Sequence, residues 1–450
     1  MSRTIVALST PNAMGAVALV RLSGEKAIAI ADSVFLAKSG RPLFETASRT
    51  AIYGEFVDKG TPFDDGIATV FCAPNSYTGE NMVEMSCHGN PFLVRKLIDA
   101  CIEAGASPAG AGEFTRRAFE NEKLDLSAAE AVAELIAAES AAAARAAFLR
   151  RKGQISEKIN QMAEKVSYLA AQLAVWSDYP EEEDAPAVTH EAMLAQMEEI
   201  EAEIALLLLG CQAGQMIQEG IRVAIIGSPN VGKSTLLNML AGEERSIVTE
   251  VAGTTRDVVE ATTFIDGIAL RLMDTAGIRD TVDRVEKIGV DRAIQTLEKA
   301  DLVLLVLDRS RPLGTEDVRL IERIKNRPHV LALNKTDLPA EPFQQTLEAY
   351  VEISAATGEG GAELKAEIKR RLGLEKVPQG GFIASLRQRD CLQRAQLAVG
   401  ETIQALKDRI TLDAAGILLD DAIMPLSELT GRSVSESVLE QIFSNFCVGK

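Results

Sequence analysis

Residues 221–235 constrain this chain more than any other stretch: Ile221-Arg222-Val223-Ala224-Ile225-Ile226-Gly227-Ser228-Pro229-Asn230-Val231-Gly232-Lys233-Ser234-Thr235. The apolar run 221–226 reads as a buried strand that Gly227 ends. Gly232-Lys233-Ser234 then opens a helix carried on by Leu236, Leu237 and Leu240. This is the G-x-x-x-x-G-K-S phosphate loop in its required setting, strand before and helix after. Glycines let backbone N–H groups close around phosphate oxygens, and the helix N-terminus adds a favourable dipole. Lys233 is placed to reach the terminal phosphates, and the Ser234 hydroxyl to ligate magnesium.

Three downstream pieces extend the motif. Leu270-Arg271-Leu272-Met273 is a strand leading into Asp274-Thr275-Ala276-Gly277, a carboxylate for the magnesium region and a glycine for the γ-phosphate. Residues 302–307 form another buried strand. Val330-Leu331-Ala332-Leu333 is a third, ending in Asn334-Lys335-Thr336-Asp337. An aspartate there accepts two hydrogen bonds from the N1–H and exocyclic amine of guanine, a pair of donors that adenine lacks. Ser354-Ala355, after the strand-like Tyr350-Val351-Glu352-Ile353, fits the last guanine-contacting loop. Four elements in this order imply a guanine-nucleotide domain.

A chain of 450 residues holds two or three domains. Lys and Arg number 47 against 65 Asp and Glu, a net charge of −18. Such a surface binds nucleic acid or anionic membrane only through local exceptions. Met1–Leu22 does not read as a signal peptide, and no run of ~18 apolar residues marks a membrane span, so no membrane association and a cytoplasmic location are expected. Cys72, Cys87, Cys101, Cys211, Cys391 and Cys447 lack C-x-x-C spacing and read as thiols of a reducing compartment. His88, His190 and His329 have no metal-ligand spacing and read as structural or surface residues.

The chain divides by texture. Short strand-type runs (4–8, 16–22, 51–57, 67–72, 82–86) and helical segments near 27–34 and 91–104 predict an α+β domain over residues 1–122. From Leu126 alanine, leucine and glutamate dominate; Ser127 with Glu130 forms a capping-box pattern. A helix of forty-odd residues near 126–172 would be roughly 60 Å long. A further helical stretch runs from Thr189 to Met216. Between Asp178 and Glu203 stand ten acidic residues and no Lys or Arg, which read as a solvated face and loop. Residues 219–376 hold the nucleotide domain, and helical spacing returns at 386–410 and 418–446. Helices before and after an α/β unit predict one helical domain, 123–218 and 377–450, interrupted by it. The fold class is therefore multidomain: an N-terminal α+β domain, a discontinuous helical bundle and an inserted Ras-like P-loop GTPase domain.

Two oddities bear on mechanism. The position after Asp-x-x-Gly, where a Ras-like enzyme has a water-orienting glutamine, is Ile278, which cannot hydrogen-bond anything. The water must be aimed from elsewhere, and the polar segment 279–289 carries candidates. Asn230 sits in the phosphate loop, where its amide oxygen either holds a monovalent cation beside the β- and γ-phosphates or only braces the loop.

These residues resemble the bacterial tRNA modification GTPase family (MnmE, also called TrmE). The resemblance rests on residues 227–235, on Ile247-Val248-Thr249-Glu250-Val251-Ala252-Gly253-Thr254-Thr255-Arg256-Asp257, and on Asp274-Thr275-Ala276-Gly277-Ile278-Arg279. It extends to Val20-Arg21-Leu22-Ser23-Gly24, Pro74-Asn75-Ser76-Tyr77-Thr78-Gly79-Glu80, His88-Gly89, Gly112-Glu113-Phe114-Thr115, Lys123-Leu124-Asp125-Leu126 and the ending Phe446-Cys447-Val448-Gly449-Lys450. The match runs through the whole chain in order. Departures stand at Ala13 and Met14 in the first turn, and at Asn81, Asn90 and Ala111.

The resemblance implies an N-terminal domain that binds 5-formyl- or methylene-tetrahydrofolate and forms a homodimer. It implies GTP hydrolysis in nucleotide domains that dimerise across potassium. It also implies an FAD-dependent partner, in a heterotetramer, with which a carboxymethylaminomethyl-type group is installed at C5 of the wobble uridine of certain tRNAs. By the same resemblance GTP is held by residues 230–235, 249–255, 274–277 and 334–337 with Ser354 and Ala355. Ser234 and Thr255 match magnesium ligands. Asn230, Thr249, Val251 and Thr254 match the potassium loop. Glu286 matches the water-orienting residue, so Glu286, Lys233 and Asn230 are the catalytic candidates. Arg21, Glu84, Lys123 and Lys450 match the folate-holding residues. Cys447 reads first as a tail thiol, and the resemblance makes it a candidate reactive group.

Two other readings compete. A ribosome-assembly GTPase switch would call for a second phosphate loop or a Gly-x-x-Gly RNA-binding module, and neither is visible. A dynamin-like mechanical GTPase would call for a basic or apolar membrane-facing patch, against a net charge of −18.

Overall fold

A computed structural model describes residues 3–178, 189–242, 261–274, 297, 299–342, 347, 349–374 and 385–450. Its contacts divide into two compact units: Met1–Ala133, Arg150–Pro186 and Gly416–Lys450 in one, Glu134–Leu149 and Ala187–Ala415 in the other.

The first unit is built on seven strands: β1 (Ile5–Leu8), β2 (Val17–Ser23), β3 (Phe35–Ala37), β4 (Thr50–Asp58), β5 (Thr61–Phe71), β6 (Met82–His88) and β7 (Ser107–Pro108). They lie in the order β3-β4-β5-β6-β2-β1-β7, antiparallel except for the β1–β7 pair. Side chains alternate across the pleat. Val20 and Leu22 of β2 and Val83, Met85 and Cys87 of β6 share one core with Ala27, Ile30, Val94 and Leu97 of the helices Ala27–Val34 and Pro91–Glu103. The intervening residues, Arg21 and Glu84 among them, therefore lie on the other face. Pro91 takes the first helical position, where its missing N–H costs nothing, and the Asn90 side chain accepts from Phe92 N.

The region expected as one long helix is three: Leu126–Ala137, Ala141–Arg151 and Gln154–Asp178. The first break falls at Ser140, whose hydroxyl accepts from Ala143 N and starts the second helix. The second falls at Gly153, which turns to φ +78°. The cap of the first helix is Asp125, whose carboxylate accepts from Ala128 N, and Ser127 is buried inside the helix. In the same way 418–446 is not continuous. It comprises the helices Leu412–Thr430 and Glu436–Ser444, and Phe443 and Phe446 pack on Leu126 and Val132.

Among its described residues the second unit carries six strands: β8 (Ile221–Ile226), β9 (Ala261–Ile265), β10 (Ile268–Asp274), β11 (Leu302–Asp308), β12 (His329–Asn334) and β13 (Tyr350–Glu352). Their order is β13-β12-β11-β8-β10-β9, parallel apart from edge strand β9. Every residue of β11 is buried, as a strand covered on both faces requires. Val223, Ile225, Leu304 and Val306 face a core with Leu236, Leu240, Leu364 and Ile368. Ala224, Ile226, Leu305 and Leu307 face the opposite one with Leu297 and Ile324. Because β8 lies between β11 and β10, the chain leaves it in both directions, and its carboxyl end is the switch point where an open α/β sheet forms its ligand crevice.

The helices His190–Glu219 and Leu386–Lys407 pair antiparallel in this unit. Met193, Met197, Ile200 and Ile204 are buried on the first, and Leu392, Ala395, Val399 and Ile403 on the second. His190 Nε2 lies 2.8 Å from Ile410 O, and Lys407 pairs with Glu198 at 2.9 Å. Among the described residues, His190–Glu219 is the one helix long and apolar enough to cross a membrane; the relevant window is 41% buried.

Candidate functional site

The phosphate loop emerges from β8 where the sequence places it. Lys233, first residue of the helix Lys233–Gly242, donates from Nζ to Gly227 O at 2.7 Å and Ser228 O at 2.9 Å. Gly232 has φ +95°, and a Cβ there would lie 2.3 Å from Asn334 Nδ2. No other residue fits that approach. The loop residues Asn230, Ser234 and Thr235 are exposed, Val231 is buried, and Asn230 adopts φ +62°, a conformation asparagine tolerates.

Asn334, at the end of β12, ties three loops together. Its Nδ2 donates to Val231 O at 2.8 Å, and its Oδ1 accepts from Ala355 N at 2.9 Å. Ser354 Oγ donates to Asp337 Oδ1 at 2.7 Å, setting the exposed carboxylate that would meet the base. Lys335 has φ +70° and its Nζ lies 2.6 Å from Asp308 Oδ2. Burial opposes ionisation of Asp308, yet the hydrogen bonds from Lys335 and Ser310 hold its pKa below the ordinary carboxylate value. Thr336 Oγ1 is buried and has no hydrogen-bond partner among the described residues. The structure thus brings residues 230–235 together with Asn334, Lys335, Asp337, Ser354 and Ala355. Asp274 ends β10. The remaining nucleotide and cation candidates (residues 249–255, Thr275, Ala276, Gly277 and Glu286) lie outside the described residues, as does Ile278.

A second cluster forms in the first unit. The β2–β6 register sets Arg21 directly opposite Glu84, and Arg21 Nε and Nη2 donate to Glu84 Oε1 at 3.0 and 2.7 Å. The guanidinium stands 5.5 Å from the Tyr77 ring centre and 5.6 Å from that of Phe114. The chain's last residues dock alongside. Gly449 O accepts from Ser9 Oγ at 3.0 Å and from Arg21 Nη1 at 3.4 Å, and Lys450 O accepts from Phe114 N at 3.2 Å. Partial burial, then the nearby Arg21 charge, lowers the pKa of the Lys450 amine, and Glu84 opposes them. Cys447 is exposed. Lys123 is engaged elsewhere, donating to Pro74 O at 3.0 Å.

Sequence reading missed several groups here. Asp308 and Asp317 carry no motif, and only the folded sheet shows what they hold. His88, read as structural or surface, is exposed with Nδ1 2.6 Å from Asp64 Oδ1, and ligand atoms of Asp64, Asp65 and His88 lie within 4.8 Å of one another.

A family model described as GTP-binding protein TrmE N-terminus matches residues 4–123, and one described as MnmE helical domain matches residues 126–447. Proteins named tRNA modification GTPase MnmE are similar over their full length. That of Thermotoga petrophila is 40% identical over 99% of this chain and 100% of its own. Those of Aquifex aeolicus and Bacillus subtilis are 39% and 38% identical, over 100% and 99% of this chain and all of their own. Among solved structures, the G domain of the T. maritima FeoB iron transporter is 27% identical over 34% of this chain and 98% of its own, with a TM-score of 0.25. Aquifex aeolicus Era bound to GDP·AlF4− is 30% identical over 39% of this chain and 66% of its own, with a TM-score of 0.27. With a guanine-nucleotide loop set on a P-loop sheet and full-length relatives at this identity, the chain is a GTPase and belongs to the tRNA modification GTPase MnmE family.

Proposed function

We propose that this chain hydrolyses GTP to GDP and phosphate in the service of tRNA modification. With an FAD-dependent partner it installs a carboxymethylaminomethyl-type group at C5 of the wobble uridine, position 34, using a tetrahydrofolate one-carbon unit. In this reading residues 1–122 bind folate and dimerise, 123–218 and 377–450 form the helical domain, and 219–376 the GTPase domain. Ser234 and Thr255 would hold magnesium, and Asn230, Thr249, Val251 and Thr254 would hold potassium; bound there, the ions would supply positive charge against the phosphates. Lys233 reaches the terminal phosphates, and Glu286 aims the water. A cytoplasmic homodimer without membrane attachment completes the reading. In its support, the sheet face of β2, β4 and β5 turned away from the helices leaves Val17, Tyr53 and Ile67 exposed.

The observation that carries the one-carbon part is the Arg21–Glu84 pair, flanked by Tyr77 and Phe114 and approached by Lys450. The Glu84 carboxylate, held in place by Arg21, suits the pterin's ring N–H and amino groups, the aromatic rings suit a flat heterocycle, and the Lys450 amine suits a carboxylate of the folate. Lys123 completes the set in this reading. Calorimetry on the full chain with 5-formyl-tetrahydrofolate is expected to show saturable binding, and Arg21→Glu to abolish it. No heat with the unaltered chain would leave this domain a dimerisation platform only.

A further inference from the structure

The phosphate loop is gripped from outside by a residue that no nucleotide motif contains. Ser228 follows the loop's first glycine. Its carbonyl is one of the two that hold Lys233 Nζ, and its hydroxyl donates to Asp317 Oδ1 at 2.5 Å. Both residues are buried, Ser228 at 5% and Asp317 at 1% exposure. Asp317 lies 89 residues downstream, in the first turn of the helix Thr315–Ile324. Its other oxygen accepts from Gly314 N at 2.9 Å, capping that helix, and Arg311 pairs with it at 3.1 Å. Arg311 also comes within 4.0 Å of Asp308 Oδ2, the atom that holds Lys335 of the guanine loop.

A buried carboxylate is costly unless its lone pairs are filled. Asp317 fills them with one loop hydroxyl, one helix N–H and one guanidinium. The partners come from two segments, the phosphate loop and the 311–314 stretch that leads into the helix, so the carboxylate fixes one against the other. Because the Ser228 side chain and carbonyl sit on one residue, anchoring the hydroxyl orients the carbonyl that holds the phosphate-loop lysine.

We propose that Asp317 is a positioning residue for the nucleotide site: it sets the phosphate loop through Ser228 and, through Arg311 and Asp308, joins that loop to Lys335. The alternative is that Asp317 only caps its helix, and the two roles separate experimentally. Asp317→Asn keeps an oxygen for the Ser228 hydroxyl and turns an amide NH2 toward Gly314 N, so it removes the cap and leaves the loop contact in place. Ser228→Ala removes the loop contact and leaves the cap.

The readout is release of a fluorescent GDP analogue from the full chain by stopped flow, with thermal unfolding alongside. Ser228→Ala is expected to speed release by about tenfold, the scale of one lost hydrogen bond to a charged group, and to lower Tm as well, because it leaves a buried carboxylate lone pair unfilled. Asp317→Asn is expected to lower Tm and leave release unchanged. Asp317→Ala should speed release as Ser228→Ala does, and the double variant should be no faster than either single one. Unchanged release in Ser228→Ala overturns the proposal, even should Asp317→Ala fail to fold. So does an Asp317→Ala variant that lowers Tm alone, as Asp317→Asn does, or additive effects of the Ser228→Ala and Asp317→Ala substitutions.

Discussion

Asp337→Asn is expected to lower GTP affinity by about 10⁴-fold and to raise that for XTP, the scale on which a site built around a specific hydrogen-bonding pair rejects a mismatched ligand. The carboxylate is exposed at the loop after β12, and one oxygen is fixed by the Ser354 hydroxyl at 2.7 Å. A carboxylate answers the two donors on guanine's edge. An amide presents one donor and one acceptor, which answers xanthine, where a carbonyl replaces the exocyclic amine. Competition of GTP and XTP against a fluorescent nucleotide measures both changes. GTP binding untouched by the substitution would show that Asn334-Lys335-Thr336-Asp337 does not read the base.

The second large effect concerns catalysis. A phosphoryl-transfer site with Ile278 in the glutamine position still has to neutralise charge on the transferring group and aim a water. Asn230 stands exposed on the phosphate loop. In the proposed reading its amide oxygen joins oxygens of Thr249, Val251 and Thr254 around an ion that asks for several neutral oxygens at once, and sodium is too small to satisfy such a ring without strain. Replacing sodium by potassium at constant ionic strength should therefore raise GTP turnover by about 10³-fold, the lower end of what an arginine finger contributes. Asn230→Ala should remove most of that response and leave GDP binding largely intact. Glu286→Ala should lower turnover without changing potassium-dependent association of the nucleotide domains. Equal rates in the two salts would return Asn230 to bracing the loop.

What the sequence disclosed followed from local pattern. The strand, loop and helix of residues 221–242 are legible because apolar run, glycines and helical spacing are all encoded within twenty-odd residues. The buried strands β11 and β12 are legible for the same reason. The helix break at Ser140 was not, because alanine-rich sequence keeps its helical preference through it and only the turn made there ends the segment. Gly153 did carry a local signal for the second break, as a poor helix former that takes φ +78°. The cap at Asp125 escaped notice because Ser127 and Glu130 offered a competing local pattern, and burial of Ser127 decided between them. Long-range partners left no signal either. Arg21 and Glu84 are 63 residues apart and meet only through strand register, and Ser228 and Asp317 meet only because the sheet folds. Arg21 and Glu84 entered the sequence reading through family resemblance, whereas Asp317 had no such route.

The role in tRNA modification is decided by nucleoside mass spectrometry of tRNA from a strain deleted for this chain, complemented with either the unaltered protein or Lys233→Ala. Deletion is expected to strip the C5 substituent from the wobble uridine of particular tRNAs. The unaltered chain should restore it, and Lys233→Ala, which lacks the amine held at Gly227 and Ser228, should not. An unchanged nucleoside profile in the deletion strain, with ribosomal subunits accumulating unassembled, would contradict that role and point to the ribosome-assembly switch.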